Sequence, residues 1–73
     1  MDTELRRLET EARDLDTFAK TERDILASMI RAGMTVPARD WERVGRIQLQ
    51  ADHAWSVYLT AGAAAVNNGT LEI

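Results

Sequence analysis

The sequence predicts an all-α fold: an antiparallel helical hairpin of two long helices that assembles into a four-helix bundle or a higher homo-oligomer. Two observations carry the hairpin. Two long stretches have apolar residues at helical spacing, and Gly33-Met34-Thr35-Val36-Pro37 separates them; no other Gly or Pro occurs before Gly45. A third observation carries the assembly. Two helices bury one seam, and the apolar faces here are wider than one seam. The expected organisation is one domain over 1–73, with a first helix at about 3–32, a turn at 33–36, a second helix at about 37–66 and a tail at 67–73.

The first helix should start near Thr3. Asp2 or Thr3 can cap it, and Glu4 suits the positive end of the helix dipole. Leu5, Leu8, Ala12, Leu15, Phe18, Ala19, Ile25, Leu26, Met29 and Ile30 recur at steps that place them on one stripe. The early members, Leu5-Leu8-Ala12-Leu15, follow a coiled-coil seam. Charges of both signs fill the opposite face. Asp2–Arg6, Glu9–Arg13 and Asp16–Lys20 stand four apart in the acid-first order, each pair worth about 0.2–0.5 kcal/mol. Glu22 falls near the seam, either paired with an arginine of another helix or at the stripe's edge.

Gly33 can take the left-handed position that ends the first helix at Ala32, with Met34 folding back onto Met29. Pro37 fits the first turn of the second helix, where its missing N–H costs nothing. A link this short makes neighbouring helices antiparallel.

The second helix carries Trp41, Val44, Ile47, Ala51, Ala54, Trp55, Tyr58, Leu59, Gly62, Ala65 and Val66 on its apolar face. Ala61-Gly62-Ala63-Ala64-Ala65 has almost no side-chain bulk, so another helix can approach closely there. Asn67-Asn68-Gly69 stops it. The tail Thr70-Leu71-Glu72-Ile73 either docks on a partner as an extended arm or is disordered. Leu8, Leu15, Phe18, Trp55, Tyr58 and Leu59 are the expected oligomer contacts.

Composition narrows the function. A chain of 73 residues buries a modest share of its surface and needs outside support. With no cysteine and one histidine, neither disulfides nor a thiolate or His-rich metal site can supply it. No cofactor and no metal are expected, and oligomerisation remains. The net charge of −3 argues against general nucleic-acid affinity. No leader pattern is read at the N-terminus, and the nearly uncharged run Ala54–Thr70 falls short of a membrane span. The expected setting is a soluble, cytoplasmic protein.

The chemistry-bearing residues are few. His53 has Leu49, Gln50, Ser56 and Val57 one turn away. Ser56 and His53 match a nucleophile–base pair in composition only, with no carboxylate at helical spacing to orient the base. A surface or interface histidine is the better reading. The carboxylates of the first helix interleave with Arg6, Arg7, Arg13, Lys20 and Arg23, as a solvated face does. No acid, base and nucleophile converge, so an enzyme is not expected.

The arginines point further. Arg39, Arg43 and Arg46 share one face at the start of the second helix, and Arg31 ends the first. Asp24 should stand opposite Arg46, which leaves Arg31, Arg39 and Arg43 without an obvious intrachain acid. A helix N-terminus attracts anions, and Trp41 can stack on a base or a guanidinium. Arg31, Arg39, Trp41 and Arg43 are therefore the candidate site for a phosphate-bearing ligand between protomers. The competing reading, salt bridges to the acidic first helix of a neighbouring protomer, is preferred.

Ile47-Gln48-Leu49-Gln50-Ala51-Asp52-His53-Ala54-Trp55 leads into an Ala-rich helix end. This resembles the C-terminal helix of the small viral sponge proteins that counter cyclic-oligonucleotide defence signalling. The likeness covers about nine to twenty residues. It implies a short all-α protomer in a compact oligomer that sequesters cyclic nucleotides at protomer interfaces without chemistry. No ligand residue is carried over from it. Two functions follow: a non-enzymatic oligomeric interaction protein, such as a phage or bacterial accessory factor that blocks a partner macromolecule, and a sponge for a cyclic nucleotide at the arginine cluster.

Overall fold

The computed structural model describes residues 3–69. Two helices, α1 (Thr3–Arg31) and α2 (Ala38–Asn67), pack against each other as a hairpin. No strand occurs among the described residues. The molecule is a rod of 54 × 16 × 15 Å. Asp2, offered above as a cap and as the partner of Arg6, lies outside the described residues, as do Thr70 to Ile73 of the tail.

The turn shows why α1 stops. Gly33 adopts φ +78°, which a side chain disfavours. Its N–H bonds the carbonyl of Ile30 at 2.9 Å, and the Met34 N–H bonds that of Met29 at 2.9 Å. These two bonds form a Schellman motif and satisfy carbonyls that a helix end leaves open. Helical structure ends at Arg31, so Ala32 belongs to the turn.

Pro37 sits one position earlier than expected. It is the N-cap of α2, with φ −60° and ψ 148°, and Ala38 is the first helical residue. Its extended ψ swings its carbonyl to accept the Asp40 N–H at 3.0 Å. No side chain caps this end. At the far end the Asn68 N–H bonds the Ala64 carbonyl, and Gly69 takes φ +71°.

The interior is thin. Ala12, Ala19 and Leu26, seven residues apart, are buried on α1; Val44, Ile47, Ala51 and Ala65 are buried on α2. Ala19, Ile47 and Ala51 form the central cluster, with Leu15 packed against it. Alanines at the contact let the helix axes approach closely. Among the described residues no large side chain is fully buried.

Candidate functional site

Two grooves run along the seam between α1 and α2, one on each side. In the first, Leu8, Glu11 and Leu15 of α1 face Gln50, His53 and Val57 of α2 around a cavity of about 380 Å³. The second has a similar volume. Arg23, Ala27 and Ile30 line it from α1, and Trp41, Gly45 and Gln48 line it from α2. Ile30 and Trp41 remain about half exposed there, at 51% and 50%.

The arginine face is partly engaged within the protomer. Arg43 lies 3.3 Å from the carboxylate of Glu22. It therefore has an intrachain acid, contrary to the expectation above, and Glu22 takes an arginine of the other helix. The reason is register: Glu22 stands near the α1–α2 seam, and its side chain is only 16% exposed. Arg31 donates to the Ser28 hydroxyl at 3.2 Å. Arg39 is exposed at the start of α2.

Trp41 belongs to the second groove, beside Arg23. It stands two residues from Arg43, about 200° around the helix. Within one protomer the two are directed to different neighbours. Asp24 does not serve Arg46. Its carboxylate pairs with Lys20 at 3.1 Å, one turn back on its own helix. That also replaces the expected Asp16–Lys20 pair. Glu9–Arg13 forms as expected, at 2.7 Å.

Two interhelical links lie outside the sequence reading. Arg23 donates to the Gln48 side-chain carbonyl at 2.6 Å, and the Gln48 amide donates to Asp52 at 3.0 Å. Near the open end, the Tyr58 hydroxyl donates to Glu9 at 3.1 Å. That bond to a carboxylate holds the Tyr58 hydroxyl above its ordinary pKa, and the negative charge and burial add to the effect. Trp55 meets Tyr58 edge-to-face, with ring centroids 5.9 Å apart. The antiparallel packing of Ala19 on Ile47 and Ala51 brings residue 9 beside residue 58.

Among the expected oligomer contacts, Leu8 and Leu15 line the first groove. Phe18 and Leu59 are exposed, at 49% and 65%. Trp55 and Tyr58 are half-buried. His53 is an exposed residue of the first groove. Among the described residues no group of three or more His, Cys, Asp or Glu is placed to hold a metal ion. No helix among them is long and apolar enough to cross a membrane.

On Arg7, the Glu4 and Glu11 carboxylates meet within one helix face. The hydrogen bond from Arg7 holds the Glu4 carboxyl below its ordinary pKa. This is a solvated surface network of the kind read from the charge pattern.

Comparison of the chain with protein-family models, with curated proteins and with solved structures finds no match.

Proposed function

We propose that this chain is a small non-enzymatic interaction protein that works as a homo-oligomer of helical hairpins and blocks or sequesters a partner macromolecule. One observation carries the reading: the hairpin leaves its large apolar side chains outside. Among the described residues, four of the seven that are buried are alanines, while Phe18, Ile25, Ile30, Trp41, Leu49 and Leu59 are all close to half exposed or more.

The apolar surface falls on more than one side. Phe18 and Ile25 stand seven apart on α1, one residue before buried Ala19 and Leu26. Trp41 and Leu59 stand on α2. A chain with two such strips can close an assembly with one and present the other to a target.

The test is a concentration series. The thermal midpoint should rise with protein concentration, because association stabilises only the folded chain. Light scattering should give a mass above that of one chain. A monomer mass throughout, with a fixed midpoint, would end this reading.

A second reading draws on Trp41 and Arg39: an exposed indole and an exposed guanidinium suit a phosphate-bearing ligand such as a cyclic nucleotide bound between protomers. The engagement of Arg43 by Glu22 weighs against it. A thermal-shift screen against cyclic and linear nucleotides separates the two. Ligand-induced stabilisation lost in Arg39→Ala/Arg43→Ala, at unchanged oligomer mass, would favour the second.

A further inference from the structure

Along α2, Trp41, Gly45, Gln48, Asp52, Trp55 and Leu59 follow steps of 4, 3, 4, 3 and 4. This is coiled-coil spacing. It defines a seam distinct from Val44, Ile47 and Ala51, which are buried against α1. Its members are accessible. Trp41 and Leu59 are 50% and 65% exposed, and Trp55 is half-buried. Gly45 leaves a gap in the line: a β-carbon there would meet nothing within 4 Å.

The order of steps is the same in either direction. Two antiparallel copies of this seam can therefore be laid together with every position matched. First-to-last pairing sets Gly45 against Trp55 of the partner subunit, so an indole covers the position without a side chain. It sets Trp41 against Leu59 of the partner subunit, apolar on apolar. It sets Gln48 against Asp52 of the partner subunit, amide on carboxylate. Arg23, already bonded to Gln48 at 2.6 Å, adds a positive charge beside that carboxylate.

A shift of seven residues spoils the match. Gly45 would then face Gly62 of the partner subunit and leave a void. Asp52 would face Trp55 of the partner subunit, and Gln48 would face Leu59 of the partner subunit, each burying a polar group against an apolar one.

We propose that the occupant of this face is a second copy of the chain, with α2 packed antiparallel on α2 about a two-fold axis in the first-to-last register. The contact is isologous: each protomer supplies both the Trp55 knob and the Gly45 hole. The proposal rests on the homo-oligomer reading and adds the face and the register. It leaves the Phe18–Ile25 strip of α1 outside the contact.

The experiment compares the native chain with Gly45→Leu, Trp55→Ala and the double variant. Oligomer mass is measured against concentration, and helicity by circular dichroism. Filling the hole should raise the concentration for half-dissociation by roughly tenfold or more, with helicity kept. Trp55→Ala should weaken assembly too. The double variant, with bulk and gap exchanged, should recover most of the loss. An unchanged mass for Gly45→Leu, or no recovery in the double variant, overturns the register while a native oligomer still stands. A native monomer at every concentration removes both the register and the reading beneath it.

If Gly45→Leu loses helicity, cross-linking decides. The chain has no cysteine of its own. An oxidised mixture of Gln48→Cys and Asp52→Cys should then form the mixed dimer in excess over either variant alone. No excess would overturn the proposal.

Discussion

The Arg43 guanidinium lies 3.3 Å from the Glu22 carboxylate and ties α2 to α1 across twenty-one residues of chain. Glu22 is mostly covered, whereas Arg43 keeps about half of its side-chain exposure. The pair therefore gains from a partly dry acceptor but is screened on its basic side. A double-mutant cycle with Glu22→Gln and Arg43→Gln should give a coupling of about 0.5–1 kcal/mol, toward the upper end for exposed pairs. The coupling should shrink in high salt. Urea midpoints of the four proteins measure it. No coupling at low salt would mean that the two side chains do not meet in solution.

The link between Tyr58 and Glu9 predicts a pH effect at the alkaline end. The phenol proton is held more tightly in the folded chain than in the unfolded one, because the Glu9 carboxylate accepts the hydrogen bond of the phenol and repels a phenolate. The folded pKa is raised. The contribution to stability is thus fully present below the ordinary tyrosine value of about 10 and is lost as pH rises through the folded value. Tyr58→Phe removes this dependence. Thermal midpoints from about pH 9 to about pH 12 should fall less steeply for the variant. Equal slopes would count against the link. Tyr58 is the only tyrosine, so phenolate absorbance reports its titration directly.

The contrast between these links and the turn explains what was legible in the sequence. Gly33 and Pro37 each constrain the backbone by their own covalent structure, so the break between the helices could be read residue by residue. Whether Pro37 is the N-cap or the first helical residue is not fixed in this way. The ring sets φ, which suits either position, and ψ distinguishes them. Pairings across the hairpin were harder. They depend on the axial register of two helices, and an error of one turn exchanges partners. Competition within a helix adds to this: Asp24, expected opposite Arg46, pairs instead with Lys20, four residues away on the same helix. The Arg23–Gln48 link has a neutral partner and so leaves no mark in a charge pattern. The arginine cluster joins spacing along α2 to Arg31 and an approximate hairpin register, which is too coarse to reveal that Glu22 faces Arg43.

Replacing Gly33 tests the turn. Its φ of +78° belongs to the left-handed region, where a β-carbon crowds the backbone. Gly33→Ala should cost roughly 1–2 kcal/mol of stability. Gly33→Asn should cost less, because asparagine visits this conformation more readily. Space plays no part, since a β-carbon at Gly33 would meet nothing within 4 Å. Denaturation midpoints of the three proteins check the order. An alanine variant as stable as the native chain would mean that the turn has another conformation.

Ala19 and Ala51 sit in the central cluster between the helices, and both are wholly buried. Their small size sets how near the two helices come, so bulk added there must push the helices apart. Ala19→Leu should destabilise the hairpin by about 1–3 kcal/mol, even though leucine is apolar and a strong helix former. Thr17→Leu, at an exposed position of the same helix, should change stability by no more than about 0.5 kcal/mol. The size of the side chain is then the same in both variants and only its place differs. Chemical denaturation of each, at a single protein concentration, makes the comparison. If Ala19→Leu proves neutral or stabilising, the helices stand further apart at this level than their alanine contact requires, and the thin interior that leaves the larger apolar side chains outside would have room to take them in.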